Sequence, residues 1–170
     1  MTTPLVIAYG NDSTTNICQV LARLDLNYAV LTSNKTPWFG FTHVILSGGP
    51  DHVNEPNSMK LPKWLDEDID KPVLGVCYGM QLIVKYFGGE IVEMDSFVQS
   101  PVPVYENEKI TNRWMYHLDK IGVVPDKFTI TGMTDYCVAS IRKQNWIGIQ
   151  YHPENPKYVD SSVFANFLNP

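Results

Sequence analysis

The sequence predicts an α/β domain in which parallel strands are joined by crossover helices and followed by antiparallel additions. Three observations predict it. Short β-branched runs alternate with amphipathic stretches through the first half, the second half crowds strands together with little helix between them, and one apolar strand runs straight into Gly75-Val76-Cys77-Tyr78-Gly79 ahead of a helix.

The elements follow in order. Leu5 to Tyr9 reads as the opening strand. Asn11, Asp12 and Ser13 offer helix-capping chemistry, and Ile17, Val20, Leu21 and Leu24 then recur at helical spacing along one apolar face. Tyr28 to Leu31 and His43 to Leu46 are the second and third strands, the third ending in the turn Ser47-Gly48-Gly49-Pro50. A polar loop reaches Asn57, a short amphipathic segment covers Leu61 to Leu65, and Val73 to Val76 is the fourth strand. A helix over Met80 to Phe87 closes at Gly88-Gly89, where a left-handed C-cap forms most easily. Glu90 to Met94, Val102 to Tyr105, Lys127 to Thr134, Val138 to Arg142 and Trp146 to Tyr151 read as further strands, with Asp95 to Thr111 as a loop and Ser161 to Leu168 as the last helix.

Composition narrows the function classes. The 170 residues are 44% hydrophobic and 18% charged, which fits a single domain over residues 1–170 with a core that needs no staple. Cys18, Cys77 and Cys137 are odd in number, far apart and without a CxxC pair, which argues against a disulfide framework and a structural zinc, and for a reducing, cytoplasmic setting. The N-terminal segment lacks a basic region, so it reads as a strand rather than a signal peptide. No uncharged stretch approaches the roughly 20 residues that a membrane helix needs. A net charge of −5 without a Lys/Arg cluster removes the footprint of a nucleic-acid binder. No metal or cofactor is expected.

The chemistry concentrates in three places. Gly75-x-Cys77-x-Gly79 between strand and helix is the cysteine form of a nucleophile elbow: glycines permit the tight turn, and the helix N-terminus beneath presents N–H groups whose partial positive charge suits a sulfur anion. A thiol nucleophile needs a partner that takes and returns a proton, and His152 follows the last strand at the carboxyl edge of the sheet, as Cys77 does. Glu154, two residues on, is placed to fix the tautomer and orientation of His152. The turn after the third strand is the third place. Attack on an amide carbonyl creates an oxyanion, and the amides of Gly49 and Tyr78 are the natural donors to it. His43 and His52 read as a packing and a solvated residue, and Cys18 and Cys137 as fillers. Trp38, Phe39, Phe41 and Trp64 read as either core or a partner surface.

Ser47-Gly48-Gly49-Pro50, Gly75-Val76-Cys77-Tyr78-Gly79-Met80-Gln81 and His152-Pro153-Glu154, in that order, resemble the class I (triad) glutamine amidotransferase family over nearly the whole chain. Within it the chain is most similar to the glutaminase part of GMP synthetases, through Cys77-Tyr78-Gly79-Met80-Gln81, Trp114-Met115-Tyr116-His117-Leu118-Asp119 and Thr134-Asp135-Tyr136-Cys137-Val138-Ala139-Ser140-Ile141. Tyr116 and Leu118 depart from that family's Trp-Met-Ser-His-Gly-Asp. Residues 95–109 lack its Arg-Glu-Tyr-Gly-like segment and are shorter, and Asn155-Pro156-Lys157-Tyr158 replaces Val-x-His-Thr. The resemblance implies a flavodoxin-like fold, a twisted and mainly parallel sheet with helices on both faces and a small antiparallel extension. It implies that Cys77 attacks the carboxamide of L-glutamine to form a thioester, that His152 protonates the departing ammonia, and that Glu154 orients His152. Gly49 and Tyr78 would hold the oxyanion; Gly48, Gln81 and the backbone near Tyr116 and His117 would recognise the amino-acid end. No pyrophosphate loop is present, so the expected partner is a separate ATP-dependent synthetase, most simply a GMP synthetase-like one that aminates XMP. A stand-alone γ-glutamyl hydrolase and a non-catalytic regulatory relative are the alternatives.

Overall fold

A computed structural model describes residues 2–67 and 70–169. Met1, Asp68, Ile69 and Pro170, part of the expected 1–170 domain, lie outside the described residues.

Among the described residues, nine strands form one sheet in the order β2-β1-β3-β4-β9-β8-β7-β5-β6. The parallel half comprises β1 (Pro4–Ala8), β2 (Ala29–Thr32), β3 (His43–Leu46), β4 (Val73–Val76) and β9 (Trp146–Ile149). Antiparallel pairing then adds β8 (Val138–Lys143), β7 (Thr129–Met133), β5 (Glu90–Glu106) and β6 (Lys109–Val123). Helix α1 (Asn11–Arg23) and helix α3 (Ser161–Leu168) cover one face, and helix α2 (Tyr78–Tyr86) covers the other. Strand alternation builds the two layers. Leu5, Ile7, Val44 and Leu46 join the α2 cluster, while Val6 and Ile45 meet Ile17, Val20, Leu21 and Phe164 on the opposite side.

Most expected elements are present within a residue or two, and β3, β4 and α3 have the expected bounds. The segment around Leu61 to Leu65 is a 3₁₀ turn over Lys63–Asp66, its Trp64 packed on Phe41 and its indole N–H donating to Lys35 O. Gly88, at φ 84°, makes the left-handed turn after α2. Trp38, by contrast, is 89% exposed.

Two expectations are corrected. Residues 95–111 are not a loop, and Glu90–Met94 and Val102–Tyr105 are not separate strands: β5 runs unbroken through both and turns into β6 at Asn107-Glu108. Both turn residues have positive φ (49° and 61°), the geometry of a two-residue hairpin turn. The other correction concerns α1. Its N-cap is Gly10, which has no side chain to accept from the first amides, and Asn11, Asp12 and Ser13 fall inside the first turn instead of capping it.

Candidate active site

The elbow is made by close contact between α2 and the strands beneath it. A Cβ on Gly79 would meet the Leu46 carbonyl and lie 2.7 Å from Leu46 Cβ, and a Cβ on Gly75 would lie 2.6 Å from Gly79 O. Larger residues would lift α2 off β3 and β4. Cys77, between them, sits at φ 50°, ψ −104°, a conformation that costs a side-chain-bearing residue about 1–3 kcal/mol. It is held there by bonds from Cys77 N to Ile149 O (2.7 Å) and from Gln81 N to Cys77 O (3.1 Å).

The thiol is buried, at 6% exposure. Its Sγ lies 3.6 Å from Tyr116 O and receives the Gln150 side-chain N–H at 3.4 Å. Gln150 is fully buried; it had no role in the reading of the sequence, although it sits two residues before His152.

His152 and Glu154 lie on the turn after β9. The ring donates its Nδ1 proton to Glu154 Oε1 at 2.8 Å, and the Glu154 side chain is almost fully enclosed. Burial alone would lower the pKa of His152, but Glu154 and then Cys77 outweigh it and hold the ring well above 6.5. Nε2, the nitrogen not taken by Glu154, has no hydrogen-bond partner among the described residues. The His152 amide donates to Trp114 O at 2.9 Å, so β6 holds His152 as well as facing the thiol.

The remaining predicted residues fall around this group. Gly48 and Gly49 line the same cleft as His152 and Glu154, together with Ser13, Gln99, Trp114, Tyr116 and others, in a volume of about 740 Å³. Tyr78 opens α2, where the first amides of a helix have no intrahelical acceptor. Its hydroxyl is bound to Met59 O. Gln81 is buried and its amide nitrogen is spent on Asp119 O at 3.2 Å, an atom that also accepts the His117 Nδ1 proton at 2.9 Å. Burial lowers the pKa of His117, which keeps that ring neutral. Tyr116 is half-exposed on the cleft wall, edge-on to Phe97.

His52 is exposed as expected, yet it is ion-paired with Asp119 at 3.0 Å, which raises its pKa. With Glu93 these residues bring ligand-type atoms within 4.8 Å of one another, although the pair between His52 and Asp119 already satisfies two of the three. His43 packs edge-on to Phe167, Cys18 is partly buried and Cys137 is buried against Thr134. A second charged network backs the site. Arg113 on β6 pairs with Asp160, the N-cap of α3, and with Glu106, and lies over the Tyr151 ring.

Residues 5–169 match the family model described as glutamine amidotransferase class-I. GMP synthase (glutamine-hydrolysing) of Thermotoga petrophila is 34% identical over 96% of this chain and 35% of its own length; that of Thermomicrobium roseum is 32% identical over 83% and 30%. The chain therefore spans about a third of the curated relatives it matches. Among solved structures, a protein assigned provisionally as a GMP synthase subunit from Thermoplasma acidophilum superposes with a TM-score of 0.82 at 23% identity, covering 99% of this chain and 92% of that one. A glutamine amidotransferase from Thermotoga maritima gives a TM-score of 0.76 at 16% identity, covering 99% and 90%. Both share the fold.

Proposed function

Because the chain belongs to the class-I glutamine amidotransferase family, we propose that it hydrolyses L-glutamine to glutamate and ammonia with Cys77 as nucleophile, His152 as acid and base, and Glu154 as the residue that orients His152. The observation that carries this reading is the His152–Glu154 bond of 2.8 Å on the turn beside Cys77, which fixes the Nδ1–H tautomer and leaves Nε2 without a partner.

In this mechanism Cys77 Sγ attacks the side-chain carboxamide carbon while its proton passes to His152 Nε2. The carbonyl oxygen becomes an oxyanion held by the Gly49 and Tyr78 amides. Collapse breaks the C–N bond, His152 gives its proton to the leaving ammonia, and a thioester remains. Water, deprotonated by His152, then releases glutamate and regenerates the thiol. Glu154 accepts the Nδ1–H bond throughout and stabilises the imidazolium. Gly48 and Tyr116, which line the cleft, form the end that receives the α-amino and carboxylate groups, and Gln81 and His117 support that wall from behind through the Asp119 carbonyl. The ammonia is taken by a separate ATP-dependent synthetase, most simply one that aminates XMP.

Glutamine turnover by the purified chain, alone and with such a synthetase, ATP and XMP, tests this. Cys77-dependent hydrolysis that rises with the synthetase present is expected, and Cys77→Ala should reduce both rates to background. Absence of hydrolysis with every candidate synthetase overturns the proposal. Turnover of larger γ-glutamyl compounds with no partner would instead favour the stand-alone hydrolase.

A further inference from the structure

Ser13 lies on the first turn of α1, far in sequence from the proposed triad, and its hydroxyl joins two parts of the site. Gly48 N donates to Ser13 Oγ at 2.9 Å, and Ser13 Oγ donates to Glu154 Oε1 at 2.6 Å. The same carboxylate oxygen accepts the His152 Nδ1 proton at 2.8 Å. An amide can only donate and a carboxylate only accept, so a hydroxyl that does both is the group able to link them.

The surroundings leave little play. A Cβ on Gly48 would lie 3.0 Å from Ser13 Oγ and 2.9 Å from His152 Cε1, so Gly48 sits between Ser13 and the ring with no room for a side chain. Glu154 Oε2 is buried without a partner among the described residues, which leaves Oε1 to carry the directional hold on the carboxylate. The helix forgoes a side-chain cap at Gly10 while Ser13 makes this contact.

We propose that Ser13 is a positioning residue: it fixes Glu154, and through it His152, relative to the Gly48–Gly49 turn. The assignment rests on the glutaminase reading for its role in turnover, but its effect on the Cys77–His152 pair can be read without glutamine. Ser13→Ala leaves Glu154 with one donor fewer and the Gly48 amide without its acceptor.

Ser13→Ala and Ser13→Thr, made in the full chain and checked for folding by thermal unfolding, test it. Ser13→Ala is expected to lower kcat for glutamine on the order of 10–100-fold, the usual cost of losing an orienting partner, with KM within about twofold. Ser13→Thr, which keeps the hydroxyl, is expected to recover most of kcat. Carboxamidomethylation of Cys77 by iodoacetamide, followed by mass spectrometry against Cys18 and Cys137, should slow several-fold in Ser13→Ala and recover in Ser13→Thr. Wild-type kcat and wild-type Cys77 alkylation in Ser13→Ala would overturn the proposal while leaving the glutaminase reading intact. A wild-type chain that does not hydrolyse glutamine, but whose Cys77 alkylation depends on the Ser13 hydroxyl, would sink that reading and keep Ser13 as a positioning residue.

Discussion

Along β1, β3 and β4 nearly every side chain is buried and apolar, whereas most of β5 is exposed and the buried positions of β6 include His117 and Asp119 as well as Met115 and Ile121. Both regions reach the same cleft. The parallel half holds the candidate nucleophile through contacts that leave no room for a methyl group, at Gly75 and Gly79. The hairpin holds it through backbone carbonyls, at Tyr116 for the thiol and Trp114 for His152. The difference teaches that close packing sets where the elbow is, while a hairpin that gives only some of its positions to the core can complete the site through its backbone carbonyls.

The largest test falls where the two regions meet. Glu154→Gln should lower kcat on the order of 10²–10⁴-fold, since in the proposed mechanism it removes the group that orients His152. It should also change how stability depends on pH. Burial works against a charged His152, but Glu154 and Cys77 raise its folded pKa above the ordinary 6.5. A raised folded value means that folding favours proton uptake, so this stabilisation is fully present below pH 6.5 and is lost as pH rises through the folded value. The Tm deficit of Glu154→Gln should therefore shrink as pH rises from 6.5; a deficit that stays constant would contradict this coupling.

Gly79→Ala attacks the parallel half alone. Its methyl group would meet the Leu46 carbonyl, which is backbone and cannot rotate away, so a loss of about 3 kcal/mol is expected in urea unfolding. A loss below about 1 kcal/mol would mean that α2 has slack against β3. The smallest effect belongs to the hairpin. Glu108 occupies a left-handed conformation at φ 61°, so Glu108→Gly should stabilise the chain by about 0.5–1 kcal/mol and leave kcat unchanged. Destabilisation would show that the turn is held by the Glu108 side chain.

This contrast also explains what could be read in the sequence. β3 and β4 were legible because consecutive apolar residues are buried on both faces of a parallel sheet. The placing of Cys77, His152 and Glu154 at strand ends was legible because each stands in a short local pattern there. β6 was missed for the opposite reason. Its inward positions alternate as a strand requires, at 115, 117, 119 and 121, but two of the four, His117 and Asp119, are polar, which erases the apolar signal. β5 was broken in two by Pro101, Pro103 and a polar stretch, and its turn is Asn107-Glu108 rather than Asn-Gly. Ser13 carried a capping signal, and only the fold brings it to a residue 141 positions away.

Trp114 and Tyr116 stand two residues apart on one strand, and their carbonyls, about 6.8 Å apart along an antiparallel strand, receive the His152 amide and the Cys77 thiol. The repeat of the backbone thus acts as a ruler between His152 and Cys77, and a ruler of this kind is indifferent to side chains. Both residues also line the cleft. Variation at these two positions can reshape the cleft wall without altering the spacing between the His152 amide and the Cys77 thiol, because backbone carbonyls set that spacing.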